Sequence, residues 1–331
     1  MSAKILFVCP RGYEEARLFA VSLSAGLKDL NIKITESGLT TRLFEIKKHD
    51  IVHFFHPGAK KTQMPGSAGG KMKTVQTLVS SPDDLKGYGK ILFGDHIVTF
   101  SNQEHARIKQ HMPDAKVSVI GPCVSTPAIT SLQPSAVVRE KYQTGEKLLV
   151  VALNDFRDQE HFSIFLYTAR EYQRREGFRF LIPAYRQDRQ SVQWRNRLKA
   201  IIEQEKLSCT TLLDSADGIH SLIDSADLAL YISKRRDPEF EFPLRVVEAL
   251  CAGKPVIPFD TLPVSEAIAL FNKNWIARAA EDYSRISRDI LKQALKIEEI
   301  STEVARYARA RFSVDKVAEQ YRSIYKSLLE G

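Results

Sequence analysis

The sequence predicts an α/β protein built from two successive strand–helix series, each forming a parallel sheet. Three observations carry this. Short apolar runs alternate with amphipathic segments along most of the 331 residues. The alternation is interrupted once, at 121–145, where three prolines and many Ser and Thr read as an interdomain linker. The length suits two domains of ordinary size.

The elements follow in order. Ile5–Cys9 reads as a strand and Glu14–Leu30 as a helix with Ala16, Phe19, Ala20, Leu23 and Leu27 on one face. Asp50–Phe55, Lys73–Val79, His96–Phe100 and Lys116–Ile120 read as further strands, with a helix over Asn102–His111. The second series has strands near Lys147–Leu153, Phe178–Ile182, Cys209–Leu213, Leu228–Ile232 and Pro255–Phe259. From Glu281 to Leu329 the pattern is helical. Ligands of such sheets bind beyond the carboxyl ends of the strands, and a cleft between two such domains is the expected site.

Composition narrows the class. Hydrophobic residues are 44% and charged residues 27%, which excludes disordered and low-complexity chains. No run approaches the roughly 18 apolar residues of a membrane span, and the opening strand does not read as a secretory signal. The net charge is +8; residues 1–125 hold 17 basic and 11 acidic side chains (+6), the remainder 31 and 29 (+2). That asymmetry points to anionic partners such as phosphates or a membrane surface, or serves solubility alone. Nothing accompanies it that reads as a specific nucleic-acid motif. Cys9, Cys123, Cys209 and Cys251 stand far apart, so no metal is expected and a reducing, cytoplasmic location fits, peripheral at a membrane if the basic surface is used. Cys9 and Cys251 lie in apolar runs and read as core.

Several chemistries are missing. Pro10-Arg11-Gly12-Tyr13 follows the first strand in place of GxGxxG, which argues against a dinucleotide oxidoreductase. Gly66 to Met72 imitates a P-loop but has no hydroxyl after Lys71 to hold Mg²⁺. There is no GxSxG elbow and no HExxH.

The informative stretch is 237–259, DPEFEFPLRVVEALCAGKPVIPF. Pro243 suits the first position of a helix, Leu244, Val247, Leu250 and Cys251 form an apolar stripe, and Gly253 ends it. A helix starting there aims backbone N–H groups at an anion such as a diphosphate. Glu248 is placed to accept the paired hydroxyls of a ribose. The residues equally allow surface ion pairs of Arg245 with Glu248 and Glu241.

Phe242-Pro243-Leu244, Glu248-Ala249-Leu250, Gly253 and Pro255-Val256 resemble the donor-site signature of the large GT-B-fold family of retaining, nucleotide-sugar-dependent glycosyltransferases, glycosyl transferases group 1. Asp50–His53, His96–Val124 and Arg311–Leu329 resemble other parts of that family, so the likeness spans most of the chain. It implies two Rossmann-like domains with parallel sheets facing across a cleft. An acceptor domain over 1–125 would be completed by a helix at 313–331, followed by a linker at 126–145 and a donor domain at 146–312. It also implies transfer of a sugar from a nucleoside-diphosphate donor to a saccharide, lipid-linked or small-molecule acceptor. No cofactor or metal is implied. The leaving phosphate oxygen would take the acceptor proton on the same face.

The resemblance places the ribose carboxylate at Glu248. The family's sugar-binding Glu falls at Phe240, flanked by Glu239 and Glu241. Its Arg/Lys pair, which neutralises the leaving diphosphate, falls at Leu153 and Asp158, with Arg157 adjacent and Arg186 at another strand end. Its His near the donor sugar falls at Val79, leaving His53 and His56 as candidate acceptor or sugar contacts. Thr261-Leu262 replaces its paired Gly, while Glu266 is kept. Arg11 and Gly12 are candidate diphosphate contacts, Gly12 because its backbone allows close approach. The glycine- and lysine-rich loop 57–73 reads as a lid, a membrane contact or a solvated loop, and Lys234-Arg235-Arg236 as a phosphate contact or a solvated run. Two other readings stand beside a transferase. One is a catalytically degenerate GT-B protein acting as a nucleotide-binding or interaction subunit; the other is a sugar-nucleotide epimerase.

Overall fold

A computed structural model of the chain describes residues 3–37, 46, 48–55, 72–80, 91–125, 133–154, 156, 158–185, 188–234, 240–261, 263–292 and 297–330. The chain divides into two compact units. The first comprises Met1–Ser125, Arg236–Val247 and Arg309–Gly331; the second comprises Thr126–Arg235 and Glu248–Ala308.

The first unit holds strands β1 (Lys4–Pro10), β2 (Asn31–Ser37), β3 (Ile51–Phe55), β4 (Lys73–Thr77), β5 (His96–Thr99) and β6 (Val117–Val119) in one sheet, ordered β2-β1-β3-β4-β5-β6. Every pairing is parallel. β3 is buried at every position, which is why it reads as an unbroken apolar run interrupted only by His53. Helix α1 (Glu14–Gly26) buries Ala16, Phe19, Ala20 and Leu23. It ends four residues before the expected Leu30, and Gly26 permits a close approach: a Cβ there would lie 2.7 Å from that of Ala318. The pattern of NIKITES hid β2, which among the described residues is an edge strand paired with β1 and half exposed from Asn31 to Glu36. Helix α2 (Asn102–His111) matches its expected span, with Ser101 accepting from the Glu104 amide at 3.1 Å as its N-cap.

The second unit opens on α3 (Ser135–Lys141), so the proline-rich stretch is not linker throughout. Arg139 from α3 donates to Asp227 at 2.9 Å and to the Lys147 carbonyl at 2.9 Å, fixing the helix to the unit. Strands β7 (Leu148–Ala152), β8 (Phe178–Ile182), β9 (Thr210–Leu212), β10 (Leu228–Tyr231) and β11 (Val256–Pro258) form a parallel sheet ordered β11-β10-β7-β8-β9. Helices α4 (Gln159–Arg175), α5 (Arg189–Gln204), α6 (Ile219–Ser225), α8 (Val264–Asn272) and α9 (Ala280–Lys292) accompany it. Tyr172 and Tyr283 are fully buried with their hydroxyls satisfied, the first by Ser287 at 2.7 Å and the second by the Tyr231 carbonyl at 3.1 Å.

Helices α7 (Leu244–Cys251) and α10 (Ile297–Phe312) each contain a point where the division falls, and α11 (Val314–Glu330) belongs to the first unit. Cys9 is buried as expected, whereas Cys251, on the last turn of α7, is partly exposed. No described helix is long and apolar enough to cross a membrane.

Candidate functional site

In the first unit, strand order reverses between β1 and β3, so the crevice beyond their carboxyl ends is the ligand position typical of such sheets. The turn after β1 lies there. Tyr13 donates its amide to the Pro10 carbonyl at 3.3 Å, and Gly12 has φ +82° with open space where a Cβ would stand. Arg11 is exposed beside it. Both features fit a loop that an anion can approach.

Residues 240–247 pack within this same unit. Phe240 is 1% exposed, with its ring 5.4 Å from Phe100 and 6.1 Å from Phe19. Phe242 packs on Phe312 at 5.5 Å. Glu241 is buried, and its amide donates to the Val79 carbonyl at 2.8 Å. Pro243 is the residue before the helix, not its first turn; its carbonyl accepts from Val246 and Val247. The Leu244 amide donates to Glu15 at 3.3 Å, and Arg245 pairs with the same carboxylate at 3.5 Å. The helix start therefore does face an anion, and the chain itself supplies it from α1.

In the second unit the reversal lies between β7 and β10. Asn154 bridges the two strand ends, accepting the Ile232 amide at 2.7 Å and returning a bond to the Ile232 carbonyl. Asp158, at the position of the family's Lys, caps α4 by accepting from the His161 amide at 2.9 Å. Its Oδ1 also lies 2.8 Å from His161 Nδ1, and His161 Nε2 lies 3.1 Å from Ser233 Oγ at the end of β10. Burial opposes ionisation of Asp158, but the His161 amide and ring outweigh it and hold the carboxyl below its usual range. Leu153, at the position of the family's Arg, is 1% exposed. This network lies where the resemblance read from the sequence would put the cation pair. A His161→Ala substitution is expected to raise the Asp158 pKa in a carboxyl NMR titration. With about 1–2 kcal/mol of bonding lost, it should also lower the melting temperature by roughly 2–8 °C.

Glu248 lies one turn into α7, is 6% exposed and accepts a hydrogen bond at Oε1 from Nδ1 of His220 on α6. Among the described residues Arg245 pairs with Glu15, and Glu248 with His220. Lys234 pairs with Glu160 at 2.9 Å and lies over the Phe259 ring.

His53 requires a correction. It is completely buried in β3, its Nδ1 2.7 Å from the Tyr325 hydroxyl and its Nε2 2.7 Å from Thr77 Oγ1. A histidine so enclosed has no surface to offer an acceptor or a sugar; it is part of the first unit's core. Glu239, Arg157, Arg186, His56, Arg235, Arg236 and residues 57–71 of the proposed lid lie outside the described residues. Glu15, His161, Ser233 and His220 were not anticipated. The one local signal among them is Asp158 three residues before His161 at a helix start. Among the described residues no group of three or more His, Cys, Asp or Glu is placed to hold a metal ion.

The architecture has counterparts among solved structures. A glycosyltransferase from Rickettsia africae superposes with a TM-score of 0.73 at 18% identity, covering 100% of this chain and 99% of its own. Anabaena HepE, solved in complex with UDP, gives 0.74 at 14% identity over 98% and 100%. The sucrose-phosphate synthase of Thermosynechococcus elongatus gives 0.71 at 12% over 98% and 99%. No curated protein matches the sequence. The fold is therefore GT-B, with two Rossmann-like domains. The profile of the family described as Glycosyl transferases group 1 matches residues 139–311, more than half of the chain and the whole span from α3 through Glu248 to α10; the protein belongs to that family.

Proposed function

We propose that this protein transfers a glycosyl group from a nucleoside-diphosphate sugar to an acceptor with retention of configuration and without a metal ion. The observation that carries the reading is Glu248, a carboxylate held almost wholly buried inside the part of the chain that matches the family. Burying a charged group is costly unless it is paired; Glu248 is paired with His220, and as a carboxylate it only accepts hydrogen bonds, which suits a vicinal diol. Glu248 then holds the ribose. Arg11 and Gly12 are the sequence's candidates for the diphosphate, and Glu241 and Glu239, one residue either side of the family's sugar-binding Glu in sequence, its candidates for the donor sugar. The leaving phosphate oxygen takes the acceptor proton, so no side chain is required as a base. UDP in the HepE complex supports a nucleotide sugar as donor. The acceptor is a saccharide, a lipid-linked species or a small molecule, reached from the cytoplasm or at an anionic membrane surface.

A specific observation favours a second reading, a nucleotide-binding subunit without turnover. Phe240 lies in a hydrophobic core where the family has a carboxylate, and Leu153 and Asp158 carry no positive charge where the family has two cations.

The test is a thermal-shift series with UDP, GDP, ADP and dTDP and their sugar conjugates, without metal, on the parent and Glu248→Ala. A ligand at a hundred times its Kd stabilises the native state by about 2.7 kcal/mol. The expected result is a rise of several degrees with one nucleotide in the parent, absent in the variant. Hydrolysis or transfer of the matching sugar supports the enzyme; binding without turnover supports the second reading. No shift with any nucleotide at millimolar concentration sinks both.

A further inference from the structure

The pair formed by Glu248 and His220 is not explained by either reading as it stands. Both residues lie in the second unit. They come from different helices, 28 residues apart in sequence, and their exposures differ sharply: 48% for the His220 side chain and 8% for that of Glu248. Topology places them at the same end of the sheet. α6 follows β9 and runs back towards the start of β10, so its first residues, His220 among them, lie on the carboxyl side. α7 follows β10 in the same sense. A carboxylate cannot donate, so the proton of this bond sits on His220 Nδ1. In the neutral ring the outward Nε2 is then an acceptor.

We infer that His220 is a positioning residue for the nucleoside: by donating from Nδ1 to Oε1 it fixes the plane of the Glu248 carboxylate so that it meets both hydroxyls of a ribose, and it thereby sets a preference for ribose over 2′-deoxyribose. The inference rests on the reading of Glu248 as the ribose carboxylate. The physical basis is conformational. A Glu side chain has three rotatable bonds, and an oxygen held by a charge-assisted hydrogen bond is not free to turn away. Each oxygen carries two lone pairs, so Oε1 can accept from His220 and still accept from a hydroxyl. Only a ligand with both hydroxyls gains fully from a carboxylate oriented in advance. A 2′-deoxy ligand leaves one acceptor direction unused and so loses little when the orientation is relaxed. His220 is half exposed, so replacing it leaves no cavity.

The experiment is calorimetric titration of UDP, GDP and ADP and of their 2′-deoxy counterparts into the parent, His220→Leu and His220→Asn. Asparagine keeps a donor close to the position of Nδ1, and thermal melts check that each variant folds. The parent is expected to bind one ribonucleotide at least tenfold tighter than its deoxy form. His220→Leu should lose about fivefold to tenfold in affinity for the ribonucleotide, the scale of one ordinary net hydrogen bond. It should lose less than twofold for the deoxy form, and His220→Asn should recover most of the difference. If the leucine variant weakens both ligands equally or neither, or asparagine fails to restore the ratio, the positioning role is overturned while the ribose reading stands. A parent that prefers the deoxy form also overturns it. A parent that binds none of the six removes the ribose reading itself, a result distinct from the others.

Discussion

His53→Leu should cost the protein about 3–5 kcal/mol of stability at pH 7.5, read by urea unfolding. The histidine joins a chain of four buried groups: Tyr325 to His53, His53 to Thr77, and Thr77 Oγ1 to the Tyr321 hydroxyl at 2.8 Å. Leucine fills most of the volume but leaves the Tyr325 hydroxyl and one side of Thr77 without their partner. Each buried group so stranded costs roughly 1–3 kcal/mol. Packing adds to this, since the ring lies 4.1 Å from Phe55 and 5.3 Å from Tyr321. A loss below about 1 kcal/mol would mean that these bonds contribute little. The same residue makes the fold acid-sensitive. Burial holds His53 well below the ordinary 6.5, and burial followed by the Lys116 charge lowers His96. Well above pH 6.5 neither the folded nor the unfolded chain is protonated at these sites, and the full stability is present. Below it the unfolded chain binds protons that the folded chain refuses, and stability falls with pH. His53 contributes to this loss between pH 7.5 and 5.5, because the unfolded imidazole takes up its proton there and the buried one does not. The leucine variant should therefore be less stable at pH 7.5 yet lose less on acidification than the parent.

The second large effect is at Gly253. It follows the last turn of α7 with φ +77°; its amide donates to the Leu250 carbonyl at 3.0 Å, and the Lys254 amide donates to Ala249 at 2.8 Å. These are the two bonds of a Schellman cap. A side chain meets two penalties there. The left-handed backbone costs about 1 kcal/mol for a non-glycine residue. A Cβ would also lie 2.6 Å from the Ser301 carbonyl oxygen of α10, a backbone atom that cannot turn away. Gly253→Ala should therefore destabilise by about 2–4 kcal/mol and lower the melting temperature by roughly 5–15 °C. Gly177 is the control. It has φ +81° and nothing within 4 Å of its Cβ position, so Gly177→Ala should show the backbone penalty alone. Equal melting temperatures for the two variants would remove the steric argument.

What could be read in advance follows from how local each feature is. β8 is Phe178–Ile182 in sequence and structure alike, because four of its five residues are apolar and buried and only Arg179 is partly exposed. The helix at Asn102–His111 carries its cap beside it in Ser101. Glu248 was legible through the dense family signature around it. β2 was not, since an edge strand needs only half its residues to be apolar. The partners of the site residues were also hidden. Glu15 reaches Leu244 across 229 residues, and Ser233 reaches His161 across 72. Periodicity and spacing describe neighbours along a strand or helix and say nothing of such pairings. His53 shows the reverse case. A histidine near a strand end looks like a ligand contact in sequence, and only the enclosing tyrosines of α11 reveal it as core.

Those tyrosines also bear on the order in which the protein is made. The first unit is assembled from three separate stretches of chain, and its buried network joins His53 to Tyr325 across 272 residues. During translation β1 through β6 emerge first but lack α11. Every residue of the second unit leaves the ribosome before Arg309. The domain synthesised first is thus the one finished last. Until its final helix arrives, the nascent unit exposes the surface around His53 and Phe19, whose rings pack on the tyrosines of α11, and that interval is when a chaperone has most to protect.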